Sequence, residues 1–146
     1  MTQPEPRTLA SLLNELPGAR LLRGEPAANV TGVEHDSRRV VAGSLFVAIP
    51  GFTVDGHAFL PQVANAGASV AVVETGHPLP GAIPGDLALI EVPATRPALA
   101  SAAAWFYGHP GREMTVIGIT GTDGKTTTSH ILTSVLEASG ATVGRL

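Results

Sequence analysis

The stretch "GITGTDGKTTT", residues 118–128, decides the fold of the part of the chain that contains it. The run "MTVIGIT" at 114–120 predicts a buried strand. "KTTTSHILTSVLEASG" predicts a helix closed by Gly140, and the glycine loop lies between the two. A phosphate-binding loop occupies such a strand-to-helix turn. Glycines let backbone N–H groups converge on phosphate oxygens, a lysine adds a compact positive charge, and a neighbouring hydroxyl can hold Mg²⁺. Gly121, Gly124, Lys125 and Thr126 meet these requirements. Lys125 is the only lysine, against eight arginines, so a flexible point charge stands where a planar fork would not serve. The strict pattern G-x-x-x-x-G-K-[ST] is missed by one place, since Gly118 stands one residue early and Ile119 takes its position. The plain alternative is a glycine-rich turn with no ligand. Asp123 brings a carboxylate that repels a triphosphate unless it points away or caps the helix.

Outward from the loop, "ATVGRL" at 141–146 reads as the start of a further strand. Upstream, "TLASLLNEL" sets Leu9, Leu12, Leu13 and Leu16 at helical spacing, with Thr8 as N-cap and residues 1–6 as a loose terminus. "SLFVAI" at 44–49, "ASVAVVE" at 68–74 and "LALIEV" at 87–92 read as strands, and "DGHAFLPQVANAG" as a turn entering a helix that Gly67 stops. "TRPALASAAAWFYGHP" reads as a helix with Thr95 as N-cap and Pro97 in its first turn. Strands alternating with helices define an α/β fold. It is expected as a small α/β domain over residues 1–110, followed over 111–146 by the first strand–loop–helix unit of a second domain. A lone unit of that kind has no sheet neighbours with which to bury both faces of its strand.

Composition narrows the functions. The 146 residues are 44% apolar and 14% charged, enough for a core and too few charges for a disordered chain. A net charge of −3 without a basic cluster argues against nucleic acid or an anionic membrane as partner. The absence of cysteine removes disulfides, thiolate catalysis and thiolate metal sites. "MTQPEPRTLASLL" lacks the pattern of a secretory signal, and no apolar run approaches the roughly 20 residues of a membrane span, so a cytoplasmic protein is expected.

The loop resembles the ATP loop of the Mur ligases, the ATP-dependent amide-forming enzymes of peptidoglycan precursor synthesis, although asparagine is usual where Asp123 stands. The earlier stretch "GVEHDSRRVVAGSLFVAIPGFTVDGHAFLPQVANAGASVAVVE" is similar to the family's uridine-nucleotide-binding domain through D-S-R, G-x-L-F-V-A and G-x-x-x-D-G-H-x-F. The resemblance covers about 110 residues in order. It is closer to members that add a diamino acid to UDP-N-acetylmuramoyl-L-alanyl-D-glutamate than to those that add the terminal dipeptide.

The resemblance implies that Gly121, Thr122, Asp123, Gly124, Lys125, Thr126 and Thr127 hold the ATP phosphates, with Lys125 catalytic and Thr126 a ligand of Mg²⁺. It also implies that His35, Ser37, Phe52, Thr53 and Val54 contact the uridine diphosphate part. Plain alternatives stand beside these roles. Asp36-Ser37-Arg38 can be a polar turn, Phe52 an isolated surface aromatic, and Arg38-Arg39 a solvated pair of which one member can face a phosphate. Asp55-Gly56-His57 reads as a turn and helix start, and Trp105-Phe106-Tyr107 as helix-end core. His77, His109 and His130 have no metal-ligand spacing among themselves.

In the implied reaction ATP phosphorylates a side-chain carboxylate and an incoming amine attacks the acyl phosphate, giving an amide, ADP and phosphate. The family's remaining metal ligands, carboxylated lysine and C-terminal domain would lie beyond Leu146. The 146 residues alone are therefore expected to be inactive, as a monomer, with the UDP-linked dipeptide and a diamino acid as substrates of the longer enzyme. The ligase that adds D-alanyl-D-alanine to the UDP-linked tripeptide is the alternative within the same class, and a non-catalytic uridine-nucleotide module the alternative from a different class.

Overall fold

The computed structural model describes residues 7–145. The loose terminus expected for 1–6 lies outside that range. The chain divides into two compact units, Met1–Pro110 and Gly111–Leu146.

In the first unit the elements run β1 (Arg7–Thr8), α1 (Leu9–Glu15), β2 (Arg20–Arg23), β3 (Asn29–Val30), β4 (Gly32–Glu34) and β5 (Ser44–Val47). A short 3₁₀ turn (Gly56–Phe59) then leads into α2 (Leu60–Asn65), followed by β6 (Val70–Glu74), β7 (Ala88–Val92) and α3 (Thr95–Phe106). Five strands form one sheet in the order β2-β7-β6-β5-β4. β4 to β7 are parallel, and β2 closes one edge antiparallel to β7. β1 and β3 form a separate two-stranded ribbon.

The strands alternate as a sheet covered on both faces requires. Leu45, Val47, Val70, Val72, Ile90 and Val92 join Leu9, Leu12, Ala98, Ala102, Trp105 and Phe106 in one core. Phe46, Ala48, Ala71, Val73 and Leu89 meet Leu60 and Val63 of α2 in the other. α1 and α3 thus cover one face and α2 the opposite one. Each large side chain fully removed from water contributes about 1.5–3 kcal/mol. The small side chains Ala98 and Ala102, both buried, let α3 lie close to the sheet.

Thr8 caps α1 as expected, its hydroxyl accepting from the Ser11 N–H at 3.4 Å. At α3 the expectation shifts by one residue, because Ala94 is the N-cap and Thr95 is the first helical position. The Glu74 carboxylate reaches over from the end of β6 to take the Thr95 N–H and hydroxyl, so the helix needs no side-chain cap of its own. Trp105 and Phe106 are core, as read from sequence, whereas Tyr107 is exposed and meets the Phe106 ring edge-on at 5.3 Å. β2 carried no clear sequence signal. Its four residues, "RLLR", hold an edge through the sheet ladder and an Arg20–Glu91 pair at 2.8 Å.

The second unit holds α4 (Lys125–Ala138), the helix expected after the glycine loop. The strands expected at 114–120 and within 141–146 do not form: residues 114–120 and 141–145 are irregular, and Val116 and Ile117 are exposed. A strand's backbone groups need a neighbouring ladder, and no other strand lies in this unit among the described residues. None of the described helices is long and apolar enough to cross a membrane.

Candidate nucleotide sites

Parallel strands deliver their following loops to one edge of the sheet, the end where open α/β sheets bind ligands. Here that edge gathers the turn after β4, the turn after β5 and the first residues of α3. Together they enclose a crevice of about 620 Å³ lined by His35, Asp36, Ser37, Arg38, Ile49, Val54, Gly56, Phe59, Gln62 and Arg96. The volume suits a nucleotide-sized ligand.

The first wall is the D-S-R turn. Asp36 accepts from the Arg38 backbone N–H at 3.0 Å and from its guanidinium at 2.9 and 2.7 Å. The Arg38 guanidinium, helped by its N–H, holds the Asp36 carboxyl far below the usual carboxylate range. Arg39 turns away to pair with Glu34 at 3.6 Å. The solvated-pair reading therefore fits Arg39, while Arg38 lines the crevice.

The second wall is a tight reversal over residues 49–56. Gly51 N–H donates to the Val54 carbonyl at 3.1 Å, and Gly56 N–H to the Ile49 carbonyl at 3.0 Å. Both glycines are required sterically: a Cβ at Gly51 would lie 2.4 Å from the Val54 oxygen, and one at Gly56 2.6 Å from the Ile49 nitrogen. Behind the reversal Asp55 caps the 3₁₀ turn through the His57 N–H at 2.9 Å. The His57 ring is buried; its Nε2 accepts from the Glu74 N–H at 2.9 Å, so Nδ1 carries the proton and donates it to Asp55 at 2.6 Å. His57 therefore pins the reversal to the sheet, in agreement with the structural reading of Asp55-Gly56-His57. His77 stacks on it with centroids 4.6 Å apart and also contacts Asp55.

Asp55, His57 and His77 bring potential metal-ligating atoms within 4.8 Å of one another, which no spacing of the histidines indicated. Both nitrogens of His57 are spoken for in these hydrogen bonds, so the cluster is a hydrogen-bonded pin with no His57 lone pair left for a cation. Burial pushes the Asp55 carboxyl up, but the bonds from the His57 N–H, the His57 ring and His77 outweigh it and bring it below its ordinary value.

Of the residues expected at the uridine nucleotide, His35, Ser37 and Val54 line the crevice. Phe52 and Thr53 stand at the exposed tip of the reversal and are not part of its lining. Sequence reading missed Arg96, whose guanidinium donates to the Pro50 carbonyl at 3.1 Å across 46 positions of chain. Its only sequence signal is a place in the first turn of the helix that follows β7.

In the second unit Gly121 and Gly124 adopt φ of 151° and 76°, values that side chains other than glycine's rarely take. Gly124 is the N-cap of α4 and the helix has no side-chain cap, so Asp123 does not cap it and the first-turn N–H groups are left without a side-chain acceptor. A Cβ at Gly124 would project into open space. The Lys125 ammonium folds back over the loop and donates to the Gly121 carbonyl at 2.6 Å and the Thr122 carbonyl at 3.2 Å. Unpaired amides at a helix start, an ammonium over the loop and the exposed residues Thr126 and Thr127 form a donor set suited to ATP phosphates and an accompanying Mg²⁺.

The first unit has a crevice at the ends of its parallel strands, and the second has a glycine loop leading into a helix. Comparison with known proteins gives the family. The profile described as "Mur ligase family, catalytic domain" matches residues 29–107, just over half the chain. The chain belongs to the Mur ligase family.

Among curated relatives it is 50% identical over 115 residues to the UDP-N-acetylmuramyl-tripeptide synthetase of Roseiflexus sp. (strain RS-1), covering 79% of this chain and 22% of that one. It is 43% identical over 136 residues to the UDP-N-acetylmuramoyl-L-alanyl-D-glutamate--2,6-diaminopimelate ligase of Geobacillus thermodenitrificans, covering 93% and 26%. Among solved structures, MurF from Acinetobacter baumannii superposes with a TM-score of 0.67 at 30% identity, over 94% of this chain and 29% of that one. The MurF ligase from Thermotoga maritima in complex with ADP gives 0.54 at 30% identity, over 73% and 23%. The chain thus spans about a quarter of the length of the curated relatives.

Proposed function

We propose that the first unit is the uridine-nucleotide-binding domain, residues 1–110, and the second, from 111, the beginning of the ATP-binding domain. The ligase they belong to joins a diamino acid to UDP-N-acetylmuramoyl-L-alanyl-D-glutamate. The observation that carries this reading is the crevice at the carboxyl ends of β4 and β5, where the D-S-R turn and the glycine-bounded reversal meet. Its lining offers the Ser37 hydroxyl to the uridine diphosphate part and the apolar Ile49, Val54 and Phe59 to the base.

The glycine loop supports the second role. Exchanging its contacts with the Gly121 and Thr122 carbonyls for phosphate oxygens would place the Lys125 charge where the transferring phosphoryl group gains negative charge. Thr126 would ligate Mg²⁺, whose contribution is to neutralise the phosphate oxygens. Gly121, Thr122, Gly124 and Thr127 would supply backbone donors around the β- and γ-phosphates, with the Asp123 carboxylate turned outward. The substrate's side-chain carboxylate would take the γ-phosphoryl group as ADP leaves, and the incoming amine would then displace phosphate from that acyl phosphate to form the amide.

Identities of 50% to a relative named as a tripeptide synthetase and 43% to one named as a 2,6-diaminopimelate ligase favour the diamino acid as the group added. The superposition on MurF structures favours a second reading, addition of D-alanyl-D-alanine, at the lower identity of 30%.

Titration calorimetry tests the proposal. The wild-type chain should bind UDP-N-acetylmuramoyl-L-alanyl-D-glutamate in competition with UDP, and Ser37→Ala should weaken that binding about fivefold through loss of a hydrogen bond of roughly 1 kcal/mol. Lys125→Gln should leave it unchanged while weakening MgATP. Absence of uridine-nucleotide binding at millimolar concentration would refute the first role, and MgATP binding insensitive to Lys125→Gln the second.

A further inference from the structure

Within the crevice the Asp36 carboxylate and the Arg38 guanidinium neutralise each other through a bidentate pair. The other charged side chain of the lining is Arg96, and its hydrogen-bond partner is the neutral carbonyl of Pro50. Among the described residues of the lining a single positive charge is therefore left unbalanced, on a guanidinium with donors to spare, in a chain of net charge −3. The Pro50 contact also fixes where that charge stands. Pro50 opens the reversal at 50–55 and forms an isolated bridge with Asp55, so Arg96 ties the helix after β7 to the wall that follows β5. A planar guanidinium so braced matches the paired oxygens of a diphosphate.

We infer that Arg96 is the diphosphate-recognition residue of the crevice, making the site selective for a nucleoside diphosphate over the bare nucleoside while bracing the turn that forms one wall. The inference rests on the uridine-nucleotide reading of the crevice. Arg38 cannot take this part without releasing Asp36 into a site meant for an anion.

The experiment compares UDP and uridine as ligands of the full chain, by calorimetry and by chemical-shift titration, for wild type, Arg96→Gln and Arg96→Lys. Arg96→Gln removes the charge and keeps a planar donor at an exposed position, so the fold is retained, which circular dichroism checks. UDP affinity should fall ~10- to 100-fold in Arg96→Gln, the range for a charge-assisted hydrogen bond. Uridine affinity should change less than about threefold, and Arg96→Lys should recover part of the UDP loss. The salt dependence of UDP binding should also flatten in Arg96→Gln.

UDP affinity within threefold of wild type in Arg96→Gln, or an equal loss for uridine and UDP, overturns the assignment and leaves Arg96 as a turn brace. Failure of the wild-type chain to bind UDP overturns the uridine reading itself, and the two failures are distinguished by the wild-type titration.

Discussion

Glu74→Ala should destabilise the first unit by disconnecting α3 from the sheet. Its Oε2 accepts from the Thr95 N–H at 2.8 Å and from the Thr95 hydroxyl at 2.9 Å, and Thr95 is wholly buried. Removing the carboxylate leaves two buried donors without a partner. Hydrogen bonds to a charged group are worth about 1.5–3 kcal/mol each, and solvent at the partly exposed Glu74 discounts the pair to a total of about 2–4 kcal/mol. With a urea dependence of about 1–3 kcal/mol per molar, the denaturation midpoint should fall by roughly 1–2 M.

The loss should also depend on pH. The Thr95 N–H holds the Glu74 carboxyl below its ordinary value against the opposing effect of burial, with help from the Thr95 hydroxyl and the two histidines. A carboxylate depressed by folding contributes fully above its unfolded pKa, near 4.3 for about any free glutamate, and loses that contribution as pH falls through the folded value. The stability difference between wild type and Glu74→Gln should therefore be largest near neutrality and shrink below about pH 4. Asp55, depressed in the same network, is common to both proteins and largely cancels in the difference. Urea titrations followed by circular dichroism between neutrality and pH 3 measure it. A difference independent of pH, or a Glu74→Ala, Thr95→Ala cycle that adds without coupling, would refute the reasoning.

Gly56→Ala should force the reversal away from Ile49, since the new methyl would stand 2.8 Å from the Ile49 carbonyl oxygen and closer still to its nitrogen. A cost of about 1–3 kcal/mol, with weakened uridine-nucleotide binding, is expected in paired denaturation and titration measurements. Trp105→Ala should cost about 3–5 kcal/mol, because the ring is buried in the core between α1, α3 and the sheet. A thermal scan that finds the variant as stable as wild type would place the ring outside that core.

Much of this molecule was legible as a pattern of residues. The glycines, the single lysine and the following hydroxyls specify a loop chemistry by their types alone, and α4 begins at Lys125 as that pattern requires. Alternation along 44–48 and 70–73 carried both cores, because a parallel strand must bury each face in turn. The reading failed at 114–120, where an apolar run was taken as a strand. Local pattern records a preference for extension, but a strand exists only where a neighbour takes up its hydrogen bonds.

Sequence by itself determined which segments are apolar, where the chain turns and where glycines, a lysine and hydroxyls fall together, since each of these is a property of side chains and their near neighbours. Only the tertiary structure decided that His35, Ser37, Val54 and Arg96 share one crevice and that Phe52 and Thr53 stand outside its lining. It also converted His57 and His77, twenty positions apart, into a stacked pair serving Asp55. The physical reason is the parallel sheet: it carries loops that are remote in sequence to a common edge, and no short-range pattern encodes which side chains meet there.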